Sequence, residues 1–383
     1  MRTRTTAVLA LFALAGCMAC NGCSRMRFVA VDYAPLPGGD WEVSTPAEQG
    51  LDSTLVANLY SEATRLPTLY GLLVIENGYL VAEKYFNAGA IDQLSGRQSA
   101  TKSFTSAMVG IALDQGYLSS VDQKMMDFFP EYAKSITDPR KNDITIRQLL
   151  QMRGGYPWGE KEPPYFDRFF FQDTWPPTLV PLLVDFPLTA DPGTKYKYSN
   201  LMSHLLAVIV TRASSTDLDS LAQKHLFAPM NAELGQWSRD AEGYCMGWGE
   251  IYLTARDMAK FGSMYLNDGE YEGTRVLPAD WVEASLRRYS ERINISGWWF
   301  ESKYGDFGDI GYGYQWWSAR AGDHRFDYAS GHGGNYIILL DELDMVIVTT
   351  ADPLHDHPAG AGWKYEGAIN KTVARFIASL PKE

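Results

Sequence analysis

"RQSATKSFTSAMVGIALDQG", residues 97–116, sets a serine and a lysine three positions apart, Ser99 and Lys102, ahead of an apolar run. Phe104, Ala107, Met108, Ile111 and Ala112 fall at i, i+3, i+4, i+7 and i+8, which predicts an amphipathic helix. Gly116 is a natural stop for it. The other face carries Ser99, Lys102, Ser103, Ser106 and Gly110. Apart from Lys102 these residues are small, so that face should pack closely as well, and a helix covered on both sides is a central one. Lys102 is then desolvated, which penalises the charged ammonium. The i, i+3 spacing puts amine and hydroxyl on one face. An amine that shares its proton can take that of Ser99 as the hydroxyl attacks a carbonyl, and a helix N-terminus offers a backbone N–H to the oxyanion that develops. An S-x-x-K pattern is expected about once by chance in a chain of this size. Alone it reads more readily as a solvated lysine on an ordinary helix.

The chain around this stretch has 383 residues, 46% of them hydrophobic, with 11 Trp and 22 Tyr. That supports a sizeable core in one large domain or two lobes. The net charge is −12 and the pI about 5.0. No long basic run is present, so nothing would neutralise phosphates and a nucleic-acid partner is not expected.

The first residues read differently. "MRTRTTAVLALFALAGC" pairs Arg2 and Arg4 with an apolar run too short to span a bilayer, which is the pattern of a signal peptide over 1–16. Leu14-Ala15-Gly16-Cys17 resembles a bacterial lipobox. It implies cleavage before Cys17, acylation there, and an exported lipoprotein tethered to a membrane, most simply facing the periplasm of a Gram-negative cell. Cys17, Cys20 and Cys23 have a C-x-x-C-x-x-C spacing, but they stand at the signal exit, ahead of any core, so no metal is expected there. Cys245 reads as a small buried hydrophobe. Residues 17–45, with Pro35, Pro37, Gly38 and Gly39, read as the tether.

From residue 46 to 383 the chain reads as one folded domain of α/β (α+β) class. "GLLVIENGYLVAEKYF" (71–86) is a hairpin about Asn77-Gly78. Short aromatic or β-branched runs return near the end, as "GYGYQWW", "HRFDYAS", "NYIILL" and "MVIVTT", and "YEGAINKTVARFIASL" is a closing helix. Strands at both termini predict one antiparallel sheet flanked by helices, with a helical lobe inserted at about 117–247. A site is expected in the cleft between the lobes.

Two further segments join Ser99 and Lys102. "PGTKYKYSNLMSHLLAVIV" places Tyr198-Ser199-Asn200 at a loop-to-helix corner. The other Y-x-N matches begin at Tyr85, in the hairpin, and Tyr265, in a helix, and both read as structural. "ASGHGGNYIILLDELDMVIVTT" places His332-Gly333-Gly334 before a strand, where glycines let another backbone approach. With these motifs in order, and with "ITIRQLLQMRGG", "YLTARDMAKFG" and "ELDMVIVTT" between and after them, the chain from about residue 45 resembles the serine β-lactamase and penicillin-binding protein superfamily. It is most similar to class C β-lactamases, family VIII carboxylesterases and 6-aminohexanoate-dimer hydrolases, with Y-x-N in place of S-D-N.

The resemblance implies a β-lactamase-like, transpeptidase-like fold and a serine hydrolase that needs no cofactor. Ser99 would be the nucleophile and Lys102 with Tyr198 the proton-handling pair. Asn200 would orient Lys102 and a substrate amide. The backbone N–H groups of Ser99 and Asn335, the latter just after Gly333 and Gly334, would hold the oxyanion. No E-x-x-L-N supplies the class A deacylating glutamate, so deacylation is expected through Tyr198. His332 stands where the family's β-lactamases place a lysine. A histidine is mostly uncharged at neutral pH, which weakens the grip on a β-lactam carboxylate and moves the expectation to a small-molecule ester or amide; the alternative is a purely structural histidine. Tyr156 and Trp158 are candidates for a pocket wall, or equally for packing the helical lobe. His355-Asp356-His357 lacks partners at metal-ligand spacing. Two other activities fit the same residues, a D-Ala-D-Ala type peptidase and a weak β-lactamase. A non-catalytic wall-binding lipoprotein is the reading from a different class.

Overall fold

The computed structural model of the protein describes residues 31–157, 179–294, 306–355 and 361–382. In the amino-terminal part, α1 (Ser53–Ala63) precedes the strands β1 (Leu69–Glu76), β2 (Tyr79–Tyr85) and β3 (Ser95–Gly96) and the helix α2 (Thr101–Asp114). The middle holds α3 (Ile146–Leu150), α4 (Asn200–Ser214), α5 (Leu218–Ala222) and the short strands β4 (Gln236–Trp237) and β5 (Ile251–Leu253). Then come α6 (Ala255–Leu266), a ribbon of β6 (Glu270–Tyr271) and β7 (Thr274–Arg275), and α7 (Ala279–Leu286). The chain closes with β8 (Gly308–Tyr312), β9 (Trp317–Ala321), β10 (His324–Gly331), β11 (Asn335–Leu340), β12 (Met345–Ala351) and α8 (Ala361–Ser379).

The two ends of the chain build one antiparallel sheet, in the order β2-β1-β12-β11-β10-β9-β8. β1 pairs with β12 so that Leu73 faces Val348, which joins the amino-terminal hairpin to the carboxy-terminal strands. The hairpin turns at Asn77 and Gly78, whose φ angles of 51° and 79° are the positive pair a type I′ turn requires. β11 and β12 are buried along their whole length, as their unbroken apolar runs require. Gly262 of α6 lies against Val346 and Ile337, while the neighbouring Tyr336 reaches Glu366 of α8. Consecutive strand residues point to opposite faces, so α6 covers one face of the sheet and α8 the other.

α2 runs as its periodicity predicts. Phe104, Ala107, Met108, Ile111 and Ala112 are buried, and so are Lys102, Ser103 and Ser106 on the other face. Gly110 has no room for a side chain, since a methyl group there would lie 2.5 Å from Trp281. Gly116 takes a φ of 74° just past the helix end.

Two expectations need correction. From Val31 onward the presumed tether is part of the folded body. The Glu83 N–H donates to the Tyr33 carbonyl at 2.8 Å and Leu80 N–H to the Glu42 carbonyl at 2.9 Å, so residues 31–45 cover the open edge of β2. Arg256, buried against Glu83 at 2.6 Å, also binds Asp40 and the Leu36 carbonyl at 2.8 Å. The lobe at 117–247 is not purely helical either. Its helices alternate with short 3-10 turns, and β4 pairs with β5, which pairs with β3 to form a small second sheet.

Candidate active site

The nucleophile candidate sits in a tight turn, not on the helix itself. Arg97 is tied to β5 by its N–H to the Ile251 carbonyl at 2.8 Å, and Gln98–Ala100 form a 3-10 turn that runs into α2. Ser99 is half-buried in that turn. Gln98 before it has a φ of 50°, and its amide donates to the Glu250 carboxylate at 2.8 Å; Glu250 has a φ of 64°. Two non-glycine residues in the left-handed region thus meet beside Ser99, a form of local strain that only a well-determined surrounding sustains. Burial raises the Glu250 carboxyl above its ordinary pKa.

Lys102, 1% exposed, donates from Nζ to Ser99 Oγ at 3.0 Å and to the Trp248 carbonyl at 3.0 Å. The same nitrogen stands 4.8 Å from the centre of the Tyr198 ring. Tyr198 is half-buried; its ring stacks on Trp317 at 5.4 Å and meets Tyr312 edge-on at 6.2 Å. The loop that carries it is pinned by the Lys197 N–H on the Met152 carbonyl and the Ser199 hydroxyl on the Pro157 carbonyl, both at 2.8 Å. Asn200 is the first residue of α4, buried, and α4 packs on α2. The structure therefore brings Ser99, Lys102 and Tyr198 into one place.

The third motif is the turn between β10 and β11. A methyl group on Gly331 would lie 2.2 Å from the Arg97 carbonyl oxygen, so this strand end passes directly against the turn that carries Ser99. Gly333 and Gly334 have φ values of 86° and 103°, which favour glycine. The His332 ring is 27% exposed and its Nδ1 lies 3.0 Å from the buried carboxylate of Glu366 on α8. Asn335 was expected as an oxyanion donor through its backbone. Its side chain is fully buried, accepting from Arg97 Nη1 at 3.1 Å and the Ala351 N–H at 3.2 Å and donating to the His332 carbonyl at 2.9 Å.

Tyr156 is not a pocket wall. It is fully buried in the helical lobe, and its hydroxyl donates to the Leu182 carbonyl at 3.0 Å. Trp158 and the cysteines at 17, 20 and 23 lie outside the described residues. Cys245 is buried, and burial pushes its thiol up to about 12. The His355 ring meets Tyr365 edge-on at 5.0 Å; Asp356 and His357 lie outside the described residues. Among the described residues no group of three His, Cys, Asp or Glu side chains is placed to hold a metal ion, and no helix is long and apolar enough to cross a membrane.

Three groups escaped the reading of the sequence. Trp248 acts through its carbonyl, and any residue type has one; the flanking Gly247 and Gly249 were the available signal. Arg97 is fully buried beside the nucleophile, where burial lowers its pKa to about 9, so it still carries its proton at neutral pH. Glu366 comes from the closing helix, which reads as a plain amphipathic segment.

The family model described as Beta-lactamase matches residues 57–369. The 6-aminohexanoate-dimer hydrolase of Paenarthrobacter ureafaciens is 28% identical over 328 residues, covering 80% of this chain and 79% of that protein. Among solved structures, the octameric penicillin-binding protein homologue from Pyrococcus abyssi superposes with a TM-score of 0.59 at 19% identity, covering 83% of this chain and 76% of that one. The D-stereospecific amidohydrolase from Streptomyces sp. gives 0.58 at 17% identity, over 80% of this chain and 93% of that one. The chain carries the antiparallel sheet and flanking helices of these relatives, and with the family model spanning most of its length it belongs to the beta-lactamase family, as a hydrolase of that family's serine type.

Proposed function

We propose that this hydrolase cleaves an ester or amide bond through an acyl-enzyme on Ser99. The observation that carries this is the 3.0 Å contact between Lys102 Nζ and Ser99 Oγ, made by a lysine that is 1% exposed and lies against the Tyr198 ring. In the reaction, Ser99 Oγ forms a bond to the carbonyl carbon while its proton passes to the Lys102–Tyr198 pair. That pair returns the proton to the leaving alcohol or amine as the old bond breaks, and a water repeats the sequence to release the acid. Lys102 and Tyr198 lie side by side at the nucleophile, so neither alone is assigned as base. The N–H of Ser99 and a backbone N–H of the turn around His332–Asn335 would hold the oxyanion.

A neutral ester or amide is favoured over a β-lactam or a D-Ala-D-Ala peptide. A substrate carboxylate is best met by a permanent cation, and this position of the turn holds a histidine, His332, where the family's β-lactamases place a lysine. The match to the 6-aminohexanoate-dimer hydrolase supports an amide among the substrates. A fluorophosphonate probe tests the nucleophile. The wild-type protein should label and Ser99→Ala should not; equal labelling of both, or of neither, rejects the mechanism. Nitrophenyl esters, nitrocefin and linear ω-amino amides then rank the substrate classes, and nitrocefin turning over fastest would reverse the preference stated here.

A further inference from the structure

We propose that Glu366 of α8 is a positioning residue for the reaction at Ser99, which rests on the acyl-enzyme reading above. Its carboxylate is fully buried on the far side of the sheet from α6. One oxygen, Oε2, takes His332 Nδ1 at 3.0 Å and the Gly333 N–H at 3.1 Å. The other, Oε1, takes the Tyr336 hydroxyl at 3.2 Å. These donors are the first two residues of the turn and the second residue of β11. A single side chain from a distant helix thus grips both arms of the turn.

The need for such a grip follows from the turn's composition. Gly333 and Gly334 have the widest conformational choice of any residue, and both sit at positive φ. Left to themselves they would let the turn wander. Yet on its other side the turn begins at Gly331, pressed against the Arg97 carbonyl, two residues from Ser99. Any backbone N–H that it offers to an oxyanion works only within a few tenths of an ångström of its place. Packing alone does not call for a carboxylate here, since a buried carboxylate is costly unless its oxygens are satisfied. Glu366 takes three donors from this turn and the strand that follows it. From below it fixes the height of the turn, and from the nucleophile's side the Arg97–Asn335–His332 carbonyl chain fixes its lateral position.

The test compares Glu366→Gln with wild type on a neutral nitrophenyl ester, alongside the rate of fluorophosphonate labelling. Glutamine keeps the volume but carries no charge, so His332 Nδ1 and the Gly333 N–H lose a charge-assisted acceptor and the Tyr336 hydroxyl must turn to accept from the new N–H₂. The expected result is a fall of about 10- to 100-fold in kcat and in labelling rate, with KM within about threefold, because one oxyanion donor contributes on the order of 100-fold or more. A merely structural role would lower the melting temperature and leave the kinetics of the folded fraction unchanged, and that result overturns the proposal. Should Glu366→Gln not fold, Tyr336→Phe removes one of the three donors without changing any residue of the turn itself. It should lower kcat by about two- to fivefold at unchanged KM, and an unchanged kcat overturns the proposal. Wild-type protein that fails to label at Ser99 refutes instead the acyl-enzyme reading on which this rests.

Discussion

Lys102 is a residue kept against its own stability. A lysine 1% exposed, with Nζ on the Ser99 hydroxyl and the Trp248 carbonyl, gives up the hydration it would keep at the surface. Lys102→Met fills the same space without a polar head. It should therefore melt at or above the wild-type temperature while losing about 10²- to 10⁴-fold in kcat/KM on an ester substrate, the usual share of general acid–base catalysis, here worked by the Lys102–Tyr198 pair. A variant that loses stability and activity together would make Lys102 a structural residue. At this scale the sequence was legible where a motif carries distinctive head groups, as at Ser99, Lys102 and Tyr198, which the fold brings together. It was silent where the backbone acts, as at Trp248, whose carbonyl meets Lys102. It misled at Tyr156, because an aromatic in a Gly- and Pro-rich stretch looks the same whether it lines a pocket or fills a core.

At the level of elements, the positions of α2 and the amino-terminal hairpin were legible because their signals are local: a 3.6-residue period, an Asn-Gly turn, a terminal glycine. The contacts that build the site were not. β3 meets β5 across more than 150 residues of chain, and both are too short to show any alternation. Gly331 is where such a contact can be probed. Its carbon lies so close to the Arg97 carbonyl that an added methyl would stand 2.2 Å from the oxygen and 3.0 Å from the Asn335 Cβ, and a backbone carbonyl has little room to yield. Gly331→Ala must push β10 away from the turn that carries Ser99. The expected result is a loss of about 1–3 kcal/mol in stability, as for overpacking elsewhere, together with at least a tenfold fall in kcat. Melting curves and ester hydrolysis report the two effects. A fully active Gly331→Ala would mean that the spacing between β10 and Ser99 does not matter for turnover.

Across the whole molecule, the sheet succeeds only if its first and last strands meet, and one carboxyl sits where they do. Glu76 ends β1 opposite Met345 of β12, close to Asp344, and is 8% exposed. Burial, and then the charge of Asp344, raise its pKa from 4.5 to about 8. The sign follows from proton counting. Between pH 4.5 and 8 the folded state keeps a proton that the unfolded chain has released. Unfolding in that window therefore sheds a proton, and stability falls as pH rises. Below about 4.5 both states are protonated and the penalty is absent; above about 8 it is complete. Glu76→Gln preserves the shape and removes the titration. Its melting temperature should match the wild type at pH 4 and exceed it increasingly up to pH 9, by as much as a few kcal/mol in stability. Taking the difference between the two proteins at each pH cancels every other titrating group. A difference that stays flat from pH 4 to 9 would show that Glu76 ionises in the folded sheet as it does in the open chain. The junction of the two termini would then be far better hydrated than its packing implies.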